Sequence, residues 1–516
     1  MSKKVRVRFA PSPTGGLHLG GVRTVLFNYL FAKQNGGDFI VRIEDTDQTR
    51  FVDGAEDYIF KTLEWCGMVP DESPLHGGPF APYRQSERKA NYRKFADQLV
   101  ADGFAYYAFD TTADLEAMRT EYKTLENPSP QYNHSLREKM RNSISLSAQE
   151  VTNLLAAGTP HVVRIKMPLN DTVSFNDMIR GEVSFNTAQV DDKVLLKADG
   201  MPTYHLAVVV DDYQMQITHA FRGEEWLPSA PVHLLLWKYL GWEAEMPQWA
   251  HLPLILKPDG NGKLSKRDGD RLGFPVFAMD WTDSKTNETT VGFKEHGFLP
   301  AAFVNILAML GWNDGSDQEI FTMQELIAKF SMDRVHKGGA KFDYEKAKWF
   351  NQEWIKRTDN KVLATLLQPF LEAAKIEVHE APYLVKVIGL VKDRCHLLAD
   401  FIAQSHFFFA APTTIDTAAI LPKWEEKKQR FFDALVKLYA KQIAEGVKTL
   451  PAASLEASFK ELAIAHEIKP GDLLLPLRIM LVGGKFGPGV FDIIESIELS
   501  DTNARIEHSL RLISGK

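Results

Sequence analysis

The residues APSPTGGLHLGG at positions 10–21 constrain the fold of this chain more than any other stretch, because they form a glycine-rich turn between two regular patterns. Residues 5–9 alternate apolar and basic side chains at the two-residue period of a strand. Residues 22–30 repeat apolar side chains at helical spacing, and Asn-Gly-Gly at 35–37 ends the helix. A second strand pattern covers residues 39–45. This order of strand, helix and strand predicts a βαβ unit with parallel strands.

Further along the chain, the patterns indicate a larger doubly wound sheet with an insertion. The apolar run 206–210 predicts a third strand and residues 215–221 a fourth, followed by a helix over 229–239. The gap between the second and third strands, about 160 residues, is too long for a loop. It predicts an inserted domain with its own elements, such as a strand over 161–167. Beyond about residue 300 the pattern turns helical, which predicts a helical bundle or superhelix.

Composition is that of an ordinary folded protein and excludes several classes. At 516 residues the chain is too long for one core, and its 45% hydrophobic and 25% charged residues are typical of globular proteins. No stretch approaches the roughly 18 apolar residues of a membrane-spanning helix, and the N-terminus lacks an apolar targeting segment. The two cysteines, Cys66 and Cys395, lie far apart and outside any Cys/His cluster, so we expect neither a disulfide nor a structural zinc site. These features predict a cytoplasmic protein.

The glycine-rich turn is suited to binding a phosphate group. Its four glycines let the backbone approach a ligand closely, and the helix that follows directs free N–H groups and the positive end of its dipole into the same space. The spacing matches neither a P-loop nor a dinucleotide fingerprint. His18 adds an imidazole that can donate to a phosphate oxygen as charge develops there. Taken alone, the turn is equally compatible with a purely structural role.

A second basic element supports the first. Lys263-Leu-Ser-Lys-Arg267 is flanked by glycines and predicts a mobile loop whose cations close over a bound polyphosphate. By itself such a pentapeptide is also compatible with an ordinary solvated loop. The glycine turn follows the first strand and the lysine loop follows the last, and both would meet at the carboxyl edge of a parallel sheet, where such sheets bind ligands.

Together these elements resemble a known family. The glycine turn and KLSKR resemble the HIGH and KMSKS signatures of class I aminoacyl-tRNA synthetases. The longer strings FAPSPTGGLHLGG, GGDFIVRIEDTD, APYRQSER, TYHLAVVVDD, RGEEW and KLSKRDGD resemble bacterial glutamyl-tRNA synthetases in particular. GFLPAAFVNILAMLGW, KWFNQEWI and LLLPLRIMLVGGKFGPGVFDII resemble that family's linking and anticodon-binding regions, whereas residues 358–470 match only in helical character. The resemblance therefore covers nearly the whole chain.

The resemblance implies an α/β Rossmann-type catalytic domain with an inserted α+β acceptor-binding domain, followed by an all-α anticodon-binding half. The expected boundaries are 1–100 and 204–257 for the two catalytic segments, 101–203 for the insertion, 258–340 for a connecting stem-contact region with the KLSKR loop, and 341–516 for the anticodon-binding domain.

The charges at the predicted strand ends suit an acidic amino acid. Arg8, Glu44 and Arg222 each fall at or just beyond the carboxyl end of a predicted strand, so two guanidiniums and one carboxylate would line one crevice. Glutamate carries two carboxylates and one ammonium, and arginine binds carboxylates in a bidentate manner. The matching positions of the family imply that the following residues contact the amino acid: Arg8, Ala10, Ser12, Glu44, Tyr204 and Arg222.

The resemblance also implies the reaction, in which ATP activates glutamate to glutamyl-adenylate and the glutamyl group passes to the 3′-terminal adenosine of tRNA(Glu). His18, Lys263 and Lys266 would stabilise the phosphoryl transition state, with Mg²⁺ sharing the charge. The expected ATP-binding residues are His18, Gly20, Glu225, Trp226, Leu254, Ile255, Lys263 and Lys266. Some members of the family carry a zinc knuckle in the insertion, but GFAYYAFDTTADLEAMR has no cysteine, so we expect no zinc.

A basic and aromatic segment is the candidate surface for tRNA. Although the net charge is −7, residues 334–357 hold seven Lys/Arg against three acids, interleaved with aromatic residues. Basic side chains neutralise phosphates and exposed aromatic rings stack on unpaired bases. We expect the lysines to contact tRNA, and we expect Trp349 and Trp354 to be core residues of a helical hairpin. The expected partners are tRNA(Glu), L-glutamate and ATP, and the expected assembly is a monomer.

Four alternatives remain at this point. A truncated paralogue that modifies tRNA is disfavoured by about 200 further residues of helical sequence. A glutaminyl enzyme is disfavoured because the C-terminal half is helical, whereas that family uses β-barrels there. A catalytically inactive RNA-binding relative would not need His18, Lys263 and Lys266. A nicotinamide oxidoreductase would need a glycine fingerprint that the chain lacks.

Overall fold

The structure is a computed structural model that describes residues 3–378 and 380–514. The chain divides into two compact units. The first, which we call the catalytic unit after the domain that the resemblance implies, contains Met1–Glu295 and Phe303–Tyr344. The second, the helical unit, contains His296–Ala302 and Glu345–Lys516.

The strands are β1 Arg6–Phe9, β2 Asp38–Val41, β3 Ala105–Ala108, β4 Val162–Ile165, β5 Thr172–Asp177, β6 Gly181–Asn186, β7 Val194–Leu196, β8 His219–Gly223, β9 Gln248–Leu252, β10 Ile255–Leu256, β11 Trp281–Thr282, β12 Thr289–Thr290 and β13 Ala340–Lys341. The α-helices are α1 Leu19–Gln34, α2 Ala55–Trp65, α3 Lys89–Ala101, α4 Thr112–Glu121, α5 Ala148–Ala156, α6 Tyr204–Gln214, α7 Ala230–Tyr239, α8 Lys266–Leu272, α9 Pro300–Met309, α10 Met323–Lys329, α11 Tyr344–Arg357, α12 Asn360–Ala373, α13 Ala381–Val391, α14 Asp400–Ser405, α15 Thr417–Ile420, α16 Glu426–Ala444, α17 Ala452–Ala465, α18 Gly471–Val482 and α19 Val490–Ile513.

A six-stranded sheet in the order β2-β1-β8-β9-β5-β6 forms the centre of the catalytic unit. Its first five strands pair in parallel, and β5 and β6 form an antiparallel hairpin at one edge. The predicted βαβ unit is confirmed, since β1, α1 and β2 follow one another and β1 pairs with β2 over Arg6–Phe9 and Asp38–Val41. Because α1 ends at Gln34 and Asn35 caps it, the predicted helix end is also confirmed.

The segment 101–203 supplies two different structures. β3, β4 and β7 form a separate antiparallel sheet of three strands, with the predicted strand at 161–167 appearing as β4. The hairpin of β5 and β6 instead extends the central sheet, where Asp177 pairs with Trp249. Part of the expected insertion therefore contributes directly to the sheet that carries the site.

The predicted strand at 206–210 is wrong, because these residues lie inside helix α6. All five are buried, in a core that also includes residues of α3, α7 and β9. A short apolar run that is buried on all sides has no polar face, so its period cannot distinguish a strand from a helix. The fourth predicted strand is present as β8, which begins at His219 rather than at residue 215.

The KLSKR segment is more ordered than the predicted open loop. Lys263 pairs with Leu256, and the N–H of Leu264 donates to the carbonyl of Ile255 at 2.9 Å. Ser265 and Asp268 form a capping box, so helix α8 begins at Lys266. The prediction of a loop was therefore wrong for the second half of the segment.

The helical unit confirms the predicted helical C-terminal half. A single core draws buried residues from α12, α13 and α14 and from the long helices α16, α17, α18 and α19. The predicted apolar stripe at 432–443 lies on α16, where Phe432, Leu435 and Tyr439 are buried. Across residues 3–378 and 380–514, no helix is both long enough and apolar enough to span a membrane.

Candidate functional site

A cavity of about 950 Å³ opens at the carboxyl ends of β1, β2 and β8 in the catalytic unit. The glycine turn forms one wall, and residues that follow β2 and β8 form others. Most of the predicted site residues line this one cavity: Arg8, Ala10, Ser12, His18, Gly20, Glu44, Tyr204, Arg222, Glu225, Trp226, Leu254, Ile255 and Lys263. Lys266 does not line it, although Ser265, which precedes Lys266 at the start of α8, does.

The glycines of the turn serve different purposes. A Cβ at Gly16 would lie 2.8 Å from Cγ of Trp281, so packing within the protein requires this glycine, whereas a Cβ at Gly21 would lie 2.6 Å from Cδ1 of Leu17 and would displace the end of that side chain. A Cβ at Gly20 would meet nothing within 4 Å, and Gly20 lines the cavity. Only Gly20 of these three therefore leaves open space where a ligand can approach the backbone.

His18 presents a neutral N–H group to the cavity. The backbone N–H of Gly20 donates to Nδ1 of His18 at 3.4 Å, so His18 is the N-cap of α1 and we assign its proton to Nε2. Nε2 is buried and has no hydrogen-bond partner among the described residues. Burial, and then the nearby charge of Lys263, lower the pKa of His18 to about 4. A neutral donor is therefore available at neutral pH.

A buried ionic network surrounds Arg8 and Glu44. Nε of Arg8 donates to Asp212 at 3.0 Å, and Arg42 donates to Asp212 at 2.8 Å and to Glu44 at 3.0 Å. Burial raises the pKa of Glu44, and the charge of Arg42 opposes that rise. Burial also opposes ionisation of Asp212, but the charges of Arg8 and Arg42 lower its pKa overall. The hydrogen bond from Arg42 engages one oxygen of Glu44, so its other oxygen can accept from a ligand.

Arg222 forms a second cationic group on the same cavity. It donates to the hydroxyl of Tyr204 at 2.9 Å and to Nε2 of His251 at 2.9 Å. Arg222, Arg8 and Glu44 all line the cavity, so two guanidiniums and one carboxylate lie on the same wall, as the sequence predicted. This part of the cavity therefore has an excess of positive charge and suits a ligand with carboxylates.

The cavity also carries a cation and an aromatic ring near residue 225. Lys263 forms an ion pair with Glu225 at 2.7 Å. Trp226 is 43% exposed, and its ring lies 4.8 Å from that of Tyr204. An exposed ring and a lysine beside the glycine turn suit a nucleotide with its phosphates.

Sequence reasoning missed three charged residues of the site. Arg42 and Asp212 hold the ionic network, and Arg23 lines the cavity, where it donates to the carbonyls of Leu310 and Pro253. Burial lowers the pKa of Arg23 to about 10. One signal was present in each case, namely a charge inside or directly after an apolar run.

No set of three His, Cys, Asp or Glu side chains within the described ranges is grouped to hold a metal ion. Both cysteines are free thiols and buried. The expected absence of zinc stays a prediction.

The basic segment 334–357 is partly helical. Residues 344–357 form α11, and Phe350 is buried. The prediction of a core position holds for Trp354, which packs against the core of the helical unit. It is wrong for Trp349, which is 38% exposed. The exposed part of the Trp349 ring could therefore stack on an unpaired base, which was the alternative to a core position for the aromatic residues of this segment.

Comparisons with known proteins agree with one another over the whole chain. The family described as "tRNA synthetases class I (E and Q), catalytic domain" matches residues 4–349, and the family described as "Anticodon binding domain" matches residues 362–510. The chain is 50% identical over 511 residues to a glutamate--tRNA ligase of Flavobacterium psychrophilum, with 99% of both chains covered. It is also 50% identical over 513 residues to a glutamate--tRNA ligase of Amoebophilus asiaticus, again with 99% of both covered.

A solved structure is similar throughout. The crystal structure of a glutamate tRNA ligase from Elizabethkingia meningosepticum in complex with its amino acid has a TM-score of 0.92 and 48% identity, and the match covers 99% of this chain and 100% of that one. The glutamate-tRNA synthetase from Elizabethkingia anophelis has a TM-score of 0.89 and 47% identity, with the same coverage.

The lowered pKa of His18 predicts a pH dependence of stability. As the pH falls from about 6.5 toward 4, the unfolded chain binds a proton at His18 that the folded chain does not, so His18 contributes to a loss of stability over this range. Because asparagine caps helices well but does not titrate, His18→Asn should lose less melting temperature between pH 7 and pH 5 than the wild type. The two proteins should melt alike at pH 8. Equal losses in both would contradict the buried, neutral state of His18.

The ionic network predicts a large loss of stability when Arg42 is removed. Its side chain is 0% exposed, and Arg42→Met would leave the buried carboxylates of Asp212 and Glu44 without their shared cation. Breaking a buried pair from one side costs about 3–5 kcal/mol in the free energy of unfolding. Urea unfolding, followed by tryptophan fluorescence, measures this loss in the free energy of unfolding. The exposed pair of Arg93 and Asp97 is the matched control, and Arg93→Met should cost less than about 1 kcal/mol. Similar losses in both variants would refute the network.

Proposed function

Because the chain belongs to the glutamate--tRNA ligase family of class I tRNA synthetases, we propose that the cavity of about 950 Å³ is the place where it activates glutamate. The enzyme joins L-glutamate to tRNA at the expense of ATP. In the first step the α-carboxylate of glutamate attacks the α-phosphorus of ATP and pyrophosphate leaves. In the second step a hydroxyl of the terminal ribose of tRNA(Glu) attacks the carbonyl carbon of the adenylate, and AMP leaves.

Glutamate would bind where the cavity has its excess of positive charge. Arg8 and Arg222 would bind its carboxylates, and the unengaged oxygen of Glu44 would accept from its ammonium group. Ala10, Ser12 and Tyr204 line the same part of the cavity and would complete the contacts. Support for this arrangement comes from the charges, since the two guanidiniums and one carboxylate of Arg8, Arg222 and Glu44 match the two carboxylates and one ammonium of glutamate.

ATP would bind between the glycine turn and the residues that follow β8 and β9. Gly20 leaves open space at the start of α1, where the positive end of the helix dipole suits a phosphate. The predicted free N–H groups are not found there, because those of residues 19–22 donate to the carbonyls of Val276 and His18 and to Nδ1 of His18. Trp226, Leu254 and Ile255 would contact the adenosine, with Glu225 beside them. The N–H of Leu254 already donates to Glu224 at 3.0 Å, which holds this segment in place.

Catalysis would consist of positioning and electrostatic stabilisation. The buried Nε2–H of His18 would donate to a phosphate oxygen as negative charge develops there, and its neutral state avoids the cost of burying a cation. Lys263 would exchange its ion pair with Glu225 for the phosphates. Lys266, at the start of α8 next to the cavity, would reach the phosphates after a shift of this helix. Mg²⁺ would arrive bound to the ATP phosphates as part of the substrate, since small octahedral cations are commonly held by phosphates and few protein ligands.

The remaining parts of the chain would bind tRNA. We assign the three-stranded sheet of β3, β4 and β7 to the acceptor end, the connecting region 258–340 to the stem, and the helical unit to the anticodon, for which the match over residues 362–510 is the support. The expected monomeric state stays a proposal. The two free, buried thiols fit a cytoplasmic enzyme.

The observation that carries this proposal is that a single cavity is lined by Arg8, Glu44 and Arg222 and also by His18, Gly20 and Lys263. It predicts ATP–pyrophosphate exchange that depends on glutamate. With tRNA(Glu) present, exchange should be at least about 100-fold more efficient with glutamate than with glutamine, because an amide leaves buried positive charge without a counter-ion. Exchange with aspartate, which carries the same charges on a shorter side chain, is the control for side-chain length. Exchange driven equally well by glutamine would contradict the proposed binding site, and running each assay without tRNA shows whether activation needs it.

The proposed role of Lys266 predicts a specific kinetic defect. Lys266→Ala should lower the rate of adenylate formation about 10²–10³-fold, because a group that acts only in the transition state is lost, while the Kd for glutamate changes little. Single-turnover pyrophosphate release gives the rate, and equilibrium binding gives the Kd. Lys285→Ala, at an exposed lysine between β11 and β12, is the control for loss of charge. An unchanged rate in Lys266→Ala would remove this lysine from the mechanism.

A further inference from the structure

Arg222 differs from the other two arginines of the site in its partners. Arg8 and Arg42 contact carboxylates directly, whereas the hydrogen-bond partners of Arg222 among the described residues are all formally uncharged. Its Nε donates to Nε2 of His251 at 2.9 Å, and its Nη1 lies 2.9 Å from the hydroxyl of Tyr204 and 3.2 Å from Nδ1 of His233. Its Nη2 is buried and has no hydrogen-bond partner in the described part of the chain.

Asp177 determines which nitrogen of His251 carries the proton. Oδ2 of Asp177 lies 2.6 Å from Nδ1 of His251 and also accepts from its backbone N–H at 3.0 Å. Oδ1 accepts from the backbone N–H groups of Ile179 and Arg180. Both side chains are fully buried, and burial lowers the pKa of His251 although the hydrogen bond to Asp177 acts in the opposite direction. The proton is therefore on Nδ1, and Nε2 is a neutral acceptor for Arg222.

The central sheet brings these three residues together. In the parallel pairing of β8 with β9, Arg222 lies opposite His251. Asp177 ends β5, which pairs with β9 at Trp249. The carboxylate of Asp177 therefore contacts the imidazole of His251, and this imidazole in turn contacts the guanidinium of Arg222.

His233 provides Arg222 with a second contact to a neutral imidazole. Because Arg222 donates to its Nδ1, His233 carries its proton on Nε2, and that atom lies 3.2 Å from Nδ1 of His205. Burial lowers the pKa of both histidines, that of His205 to about 4. Hydrogen bonds therefore hold the guanidinium of Arg222 on several sides, and no carboxylate of the described residues is in contact with it.

We propose that Asp177 and His251 are positioning residues that make the enzyme selective for glutamate, by fixing Arg222 while leaving its charge for the substrate. Asp177 holds the imidazole of His251 so that Nε2 of His251 accepts from Nε of Arg222. Nη2 of Arg222 then remains for the side-chain carboxylate of glutamate. A buried guanidinium without a direct counter-ion favours a ligand that supplies one, and the amide of glutamine does not. This inference rests on the proposed function, in which Arg222 binds the substrate.

The experiment compares four variants in the full chain by ATP–pyrophosphate exchange with tRNA(Glu) present. His251→Leu removes the acceptor, and His251→Gln restores an oxygen near the position of Nε2. Asp177→Asn places an amide N–H group against Nδ1 and reverses the tautomer, so that an N–H of His251 then faces Nε of Arg222. The control, His219→Leu, replaces a histidine of β8, the strand that carries Arg222; its ring packs against Phe31 and does not line the cavity. Thermal melting verifies that each variant is folded.

The expected result is a selective change in amino acid use. His251→Leu and Asp177→Asn should each raise KM for glutamate about tenfold and lower the preference for glutamate over glutamine by a similar factor, because a hydrogen bond to a charged group is lost. KM for ATP should stay within about twofold, and His251→Gln should recover part of the preference. His219→Leu should match the wild type. In ¹⁵N NMR spectra, His251 should carry its proton on Nδ1 in the wild type and on Nε2 in Asp177→Asn.

Two outcomes would overturn the inference. One is a folded His251→Leu or Asp177→Asn enzyme with the wild-type KM for glutamate and the wild-type preference. The other is an equal increase of KM for glutamate and for ATP, which would indicate a structural role only. Failure of the proposed function itself has a different signature, since the wild type would then show no exchange that depends on glutamate.

Discussion

The site depends on how the protein buries positive charge at the carboxyl ends of its parallel strands. Arg42 is completely buried and is held by Asp212 and Glu44, and the same Asp212 holds Arg8. Removing charges from water is costly unless geometry and hydrogen bonds compensate for it, so these side chains have few alternative positions. The result is a wall of charged side chains held in place by ion pairs, to which an acidic amino acid can bind with little rearrangement.

The two arginines that would bind glutamate are stabilised in different ways, and this difference has a chemical consequence. Arg8 shares a carboxylate with Arg42 and is largely neutralised within the protein. Arg222 is held by a phenol and two imidazoles, with Asp177 one residue further away. Arg222 is therefore the stronger attraction for a negatively charged side chain. In another part of the cavity, neutral His18 and the open space at Gly20 would bind the phosphates of ATP in the proposed function.

Much of the candidate site was predictable because local patterns specify strand ends and turns. The alternation in 5–9, the glycine turn and the helix after it located Arg8, His18 and Gly20 on one edge of a sheet, and these residues do line one cavity. The error at 206–210 has a physical cause. These residues are buried on all sides of a helix, so no polar residues recur among them and the run lacks the apolar–polar period that would distinguish a helix from a strand. Asp212 follows that run and lies near the end of helix α6, where it accepts from Arg8 and Arg42.

By itself the sequence determined most of the local elements, the family and the residue types that the chemistry needs, because hydrophobic period, glycine spacing and charge at strand ends are properties of neighbouring residues. Only the tertiary structure decided which charges meet. Asp177 lies within a segment that the sequence assigned to an insertion, yet the pairing of β5 with β9 places it beside His251 and so behind Arg222. Contacts between residues 177, 222 and 251 depend on strand order and register, and no pattern within a short window of sequence contains that information.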